Sequence, residues 1–249
     1  MLPSTLVTPR DLLVPADEPA ALEVEVERRF GPFLDPAREG VEVEIEGGGK
    51  ALTDAQGEAV LPLGPLEAGS RRVPVRVGAV TAEAFVSVVA KDKPVFITDI
   101  DHTIADVSSV GFIFKGVRSV PTFEGSREAL ERIARSMQLV YLTARDHIFT
   151  RKTKDWLKLN GFPEAPVYLR RRTRFWTVRA REHKISRLRE LRLAFPNIRW
   201  GVGDMPGDAE AYATHGIPAI LIGPRPLPGM PDGTLQVTRW SEIAARVAP

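Results

Sequence analysis

From Ala21 to about Lys91 the chain alternates between apolar and polar residues. Leu22, Val24 and Val26 interleave with Glu23, Glu25 and Glu27, and Val41, Val43 and Ile45 with Glu42, Glu44 and Glu46. AVLPL, VPVRVG and VTAEAFVSVVAK follow, with Gly47–Gly49, Asp54–Gly57 and Gly64–Gly69 supplying turns. Period-two alternation is the mark of strands with one wet face. At least five short strands without a helical stretch predict a small β-sandwich.

After KDKP at Lys91–Pro94, read as a linker, the pattern changes. VFITDI is a continuous apolar run, as in a parallel strand buried on both faces. Helices are expected at Ser126–Ser136, His147–Asn160, Glu182–Ala194 and Ala209–His215. Strands QLVYLT, PVYLR, RWGVG and IPAILIG alternate with them. This order predicts an α/β fold with a Rossmann-like parallel sheet. The expected domains are an accessory sandwich at 1–92 and the α/β domain at 93–249.

In such sheets ligands bind at the carboxyl ends of the strands, so the residues there carry the candidate chemistry. Asp99 and Asp101 follow the first strand: one carboxylate can attack phosphorus, and the other can protonate the leaving oxygen and then deprotonate water. Thr143 follows the second strand, where its hydroxyl and amide could hold a phosphate oxygen. Lys184, in a basic helix, is a point charge suited to a phosphoryl group. Asp204 and Asp208 lie in the glycine-rich turn after the fourth. Asp99, Asp204 and the Asp101 carbonyl would form an all-oxygen site of the kind Mg²⁺ takes. Alone, Asp-x-Asp reads as a turn, Thr as a cap and Lys as a solvated charge. Four such features at successive strand ends are far more specific.

VFITDIDHTI, LVYLTAR, Lys184 and GVGDMPGDAEAY resemble the four motifs of haloacid-dehalogenase (HAD) superfamily phosphatases over about Pro94–Gly223. The resemblance implies that Asp99 is the nucleophile and Asp101 the general acid/base. It implies that Thr143 and Lys184 bind the phosphoryl group, and that Asp99, Asp101, Asp204 and Asp208 serve a Mg²⁺ site. Arg145 is a candidate phosphate ligand, or the partner of a helix acid. YLTAR, TKDWLKLNGFP, FPNIRWGVGD and DAEAYATHGIP are similar to lipin-type and actin-patch-type phosphatidate phosphatases. Some lipin-like domains of lipid-transfer proteins lack the second Asp and only bind; this chain has Asp101. It departs at His102, where the family often carries Gly or Asp. The first segment, GVEVEIEGGGKALTDAQGEAVLPL, loosely resembles transthyretin-like or Ig-like modules.

The intervals between Asp99, Thr143 and Lys184, about 40 residues each, leave no room for a cap domain, and Ser108–Pro121 can make only a flap or hairpin. An open site suits a lipid at a bilayer or a polymer end. The Phe112–Phe114 apolar run is a candidate second membrane contact or core packing. Arg170, Arg171, Arg172, Arg174, Arg179, Arg181, Lys184, Arg187 and Arg189 form a basic segment around Phe175 and Trp176. It fits an anionic membrane, a nucleic acid or a solvated face.

The 249 residues include no Cys and only 4 His, which excludes disulfides, thiolate zinc sites and cysteine nucleophiles. The net charge of +2 divides unevenly, near −6 for 1–93 and +8 for 94–249, so the second unit would face an anionic partner. No run is apolar enough to span a membrane. A cytoplasmic protein is expected, with peripheral membrane contact left open. The expected function is Mg²⁺-dependent phosphomonoester hydrolysis through an aspartyl-phosphate, with phosphatidate or a related phospholipid monoester as substrate. The alternatives are a polynucleotide 3′-phosphatase and a non-catalytic phosphatidate-binding module.

Overall fold

The computed structural model describes residues 4–29, 36–170 and 180–247. The chain divides into two compact units, Met1–Ala90 and Lys91–Pro249.

The first unit holds β1 (Ser4–Pro9), β2 (Leu12–Pro15), β3 (Ala20–Arg29), β4 (Glu42–Ile45), β5 (Lys50–Leu52), β6 (Glu58–Leu63), β7 (Gly69–Val77) and β8 (Val80–Val89). They form a three-stranded sheet, β1-β3-β6, and a five-stranded sheet, β2-β8-β7-β4-β5. All pairs are antiparallel except β2 with β8. Leu22, Val24 and Val26 of one sheet share a single apolar cluster with Val43, Val75 and Val86 of the other. This is the sandwich that the alternation predicts. The polar face of β3 is not simply wet: Arg10 reaches Glu23 at 2.6 Å, Glu58 at 2.8 Å and Glu25 at 3.4 Å.

The second unit contains β9 (Val95–Thr98), β10 (Gln138–Asp146), β11 (Val167–Arg170), β12 (Ile198–Gly203), β13 (Ala219–Ile222) and β14 (Leu235–Val237). They form one sheet in the order β11-β10-β9-β12-β13-β14, every pair parallel. Its helices are α1 (Ser109–Phe114), α2 (Ser126–Ala134), α3 (Thr150–Leu159), α4 (Ala180–Ala194), α5 (Pro206–Thr214) and α6 (Trp240–Val247). Val95, Phe96 and Ile97 of β9 are fully buried, which explains the unbroken apolar run. Trp156 and Leu157 lie in the core as one face of α3.

The chain leaves β9 towards β10 and β11, then returns to the other side of β9 as β12. Connections therefore diverge between β9 and β12, and the crevice at such a reversal is where α/β sheets place ligands. Asp99 follows β9, and Asp204 follows β12.

Three expectations are corrected. Ser108–Pro121 is not a hairpin but the short helix α1 and a 3-10 turn at Val117–Ser119. The α5 helix begins at Pro206 rather than Ala209, so Asp208 is a helical residue. The series of strands and helices does not close at IPAILIG: β14 and α6 follow it, within the expected 93–249. Among the described residues, no helix is long and apolar enough to cross a membrane.

Candidate active site

Asp99 emerges from the central strand with its carboxylate held at both oxygens. The Ile100 amide donates to Oδ1 at 2.6 Å, and Lys184 Nζ donates to Oδ2 at 2.6 Å. The same ammonium reaches Asp208 Oδ1 at 2.5 Å. Asp208 Oδ2 accepts from the Asp204 amide at 3.2 Å and the Met205 amide at 3.1 Å, a cap on the start of α5. Gly203 permits this approach, because a Cβ there would run into the Asp208 side chain. Gly201 likewise makes room for the Tyr212 ring.

Asp99, Asp204 and Asp208 each offer a carboxylate oxygen within 4.8 Å of the others. Burial raises Asp99 to about 6, with the Asp208 charge adding to the rise and Lys184 opposing it. Burial likewise raises Asp204 to about 7, reinforced by Asp208 and Asp99. Burial alone would discharge Lys184, but Asp99 and Asp208 outweigh it and hold the ammonium above its ordinary range. Three crowded carboxylates against one ammonium leave negative charge that a divalent cation would offset, and the oxygen-only donor set suits Mg²⁺. The residues present fit such an ion. Asp208 also braces the site, with one oxygen on Lys184 and the other on the two amides that begin α5.

The structure sets the Asp101 side chain apart from this trio. Ser109 Oγ, at the start of α1, donates to its Oδ2 at 2.7 Å. Arg145 approaches from β10, with Nη2 at 2.7 Å from Oδ1 and Nε at 3.1 Å from both oxygens. The Arg145 guanidinium is thus turned to Asp101 instead of lying open to a phosphate. Its partner is a residue of the β9–α1 turn, not a helix acid.

Thr143 is fully buried in β10, and its Oγ accepts from the Arg145 amide at 3.3 Å. His183, beside Lys184, shares a hydrogen bond with the Thr143 backbone, and burial with the Arg187, Lys184 and Arg170 charges lowers it to about 3, so it is neutral at pH 7. His102 has φ of 52°. That is the left-handed region, where Gly, Asn and Asp fit best and His is tolerated, which accounts for the departure from Gly or Asp. Sequence reading missed Ser109, Thr153 and His183. All three lie near a named site residue in sequence: His183 directly before Lys184, Thr153 eight residues after Arg145 and Ser109 eight after Asp101.

Much of the basic segment lies outside the described residues: Arg171, Arg172, Arg174, Phe175, Trp176 and Arg179, with the Arg181 side chain. Of the rest, Arg170 sits 3.5 Å from Asp146. Arg187 pairs with Glu190 at 2.7 Å and stacks 4.6 Å over Tyr168. Arg189 is exposed.

Comparison with known proteins adds three structural likenesses. The chain is 16% identical to the D,D-heptose 1,7-bisphosphate phosphatase from B. bronchiseptica complexed with magnesium and phosphate (TM-score 0.45, 61% of this chain, 97% of that chain). It is 16% identical to a haloacid dehalogenase-like family hydrolase from Streptococcus pneumoniae (0.44, 63% and 98%). It is 14% identical to one from Xanthomonas campestris (0.42, 63% and 95%). No curated protein sequence matches. The family model "PITM 1-3, LNS2 domain" matches residues 96–222, just over half of the chain and the whole run from Asp99 to Asp208. The chain therefore belongs to the LNS2 domain family.

Proposed function

We propose that the protein hydrolyses phosphomonoesters through an aspartyl-phosphate on Asp99, with a phosphatidate-type lipid as substrate. The observation that carries the chemistry is the convergence of Asp99, Lys184 and Asp204 at the sheet reversal, with Asp101 two residues from the nucleophile. Asp99 attacks phosphorus in line, and the bond to the leaving oxygen breaks as Asp101 delivers a proton to it. Asp101 then removes a proton from water, which attacks the aspartyl-phosphate and returns Asp99 with release of inorganic phosphate. Thr143 and Lys184 hold the phosphoryl oxygens. Asp99, Asp204 and the Asp101 carbonyl are the groups that would hold Mg²⁺, which when bound supplies positive charge against carboxylate–phosphate repulsion.

Three features support a lipid substrate: the lipin-like motifs, the absence of an inserted cap among the described residues, and α1. Its inner face meets Asp101 and Arg145 through Ser109 and Phe112, whereas Val110 and Phe114 stand 65% and 79% exposed. Lys115 and Arg118 follow, both exposed. An apolar pair beside cations suits an anionic bilayer surface.

The test is Mg²⁺-dependent phosphate release from phosphatidate in mixed micelles, a soluble aryl phosphate and a 3′-phosphorylated oligonucleotide. Preference for phosphatidate is expected. Activity on the oligonucleotide alone would replace the lipid reading with a polynucleotide 3′-phosphatase. Mg²⁺ binding without turnover of any substrate would replace it with a binding module.

A further inference from the structure

We propose that Arg145 is the positioning residue for Asp101, orienting the carboxyl so that Oδ2 is the oxygen that exchanges a proton with the leaving group. This rests on the hydrolytic reading above and assigns Arg145 a task other than phosphate binding.

Arg145 is 2% exposed, and a guanidinium stays charged when buried. All three nitrogens are used: Nε and Nη2 on Asp101, and Nη1 on Thr153 Oγ1 at 3.2 Å. Phe112 of α1 lies against the guanidinium, with its ring centre 3.5 Å from the central carbon. The fork is therefore fixed by its surroundings before it meets the carboxylate, and a planar two-point contact fixes the carboxylate plane in turn.

The two Asp101 oxygens then differ. Oδ1 receives the shortest guanidinium bond as well as Nε, and both partners can only donate, so Oδ1 is held as an acceptor. Oδ2 shares Nε and meets the Ser109 hydroxyl. A hydroxyl can donate to an ionised oxygen or accept from a protonated one. Only Oδ2 therefore has a partner compatible with both of its protonation states, as a group acting first as acid and then as base requires. Holding a reacting group in one orientation can account for several powers of ten in rate.

The test uses a series of aryl phosphates from p-nitrophenyl to unsubstituted phenyl, with Arg145→Gln, Arg145→Lys and Asp101→Asn compared with wild type in Mg²⁺. Proton delivery matters most for the poorest leaving group. Arg145→Gln is expected to lower kcat/KM, which reports the phosphorylation step and not the later hydrolysis common to all esters, about 100-fold on phenyl phosphate and only slightly on the p-nitrophenyl ester. Arg145→Lys should recover part of the phenyl ester rate. A purely structural role would slow every ester alike, and a phosphate ligand would raise KM alike; either would overturn the proposal. In an Asp101→Asn background both charges of the pair are removed, which guards against misfolding from a lone buried charge. There, Arg145→Gln should cost nothing further on phenyl phosphate, and a further loss would overturn the proposal. Wild type inactive on every ester would overturn the hydrolytic reading together with it, whereas active wild type with parallel losses overturns this assignment alone.

Discussion

Lys184 Nζ lies 2.6 Å from Asp99 Oδ2, so the side chain expected to hold the phosphoryl group is in place on the proposed nucleophile before any substrate arrives. The contact closes a separation of 85 residues and joins α4 to the end of β9. Asp208, on the far side of the ammonium, keeps Lys184 aligned.

Removing that ammonium leaves Asp99 and Asp208 buried with no positive partner in direct contact among the described residues. Lys184→Met should cost about 3–5 kcal/mol of stability in metal-free protein, together with nearly all phosphatase activity. Denaturant melts and phosphate release read the two effects separately. An unchanged melting profile would mean that the cluster is not held by Lys184.

The raised carboxyls fix the sign of a pH dependence. Asp99 and Asp204 ordinarily titrate at 3.8, and in the fold at about 6 and about 7. The unfolded chain gives up these protons first as pH rises, so metal-free stability should be fully present below about pH 4 and fall through about pH 7. Mg²⁺ should restore it most at the upper end. Thermal melts with EDTA and with Mg²⁺ between pH 4 and 8 would show the two curves diverging; parallel curves would separate the cluster from metal binding.

Gly203 gives a steric test. In Gly203→Ala the new methyl collides with Asp208, which would have to leave the Lys184 ammonium and the amides that begin α5. Activity should drop at least 100-fold, with a lowered melting temperature. Gly207→Ala, where a Cβ meets nothing within 4 Å, should remain near wild type.

Val110→Ser with Phe114→Ser should lower turnover of vesicle-borne phosphatidate about tenfold, while a soluble aryl phosphate is hydrolysed as before. Both side chains are exposed, so the fold should tolerate the change. Equal rates on vesicles would take α1 out of the lipid contact.

The sheet and the strand ends that carry the candidate site were legible because they follow from short-range signals. Apolar runs such as VFIT mark buried strands, and strand ends mark the crevice. Asp99, Thr143 and Asp204 could be placed at or beside strand ends from position alone, whereas Lys184 lies in α4 and was singled out by its motif. The Arg145 role could not, because its partner is 44 residues away and is met only when β9 and β10 pair. The α1 helix was missed because six residues are too few to show a helical period. Its signal was the Ser108 cap, whose Oγ accepts from the Gly111 amide at 3.0 Å. The later start of α5 in the sequence reading came from taking Met205-Pro206-Gly207 as turn residues. In the structure Pro206 occupies the first helical turn, where its missing N–H costs nothing.

The most direct measurement is acid-quenched labelling with a ³²P-phosphomonoester in Mg²⁺, followed by mapping of the labelled peptide. Label is expected on Asp99, persisting longer in Asp101→Asn and absent from Asp99→Asn, which should also release no phosphate. Phosphate release by Asp99→Asn at the wild-type rate, with no label on the protein, would contradict the aspartyl-phosphate mechanism.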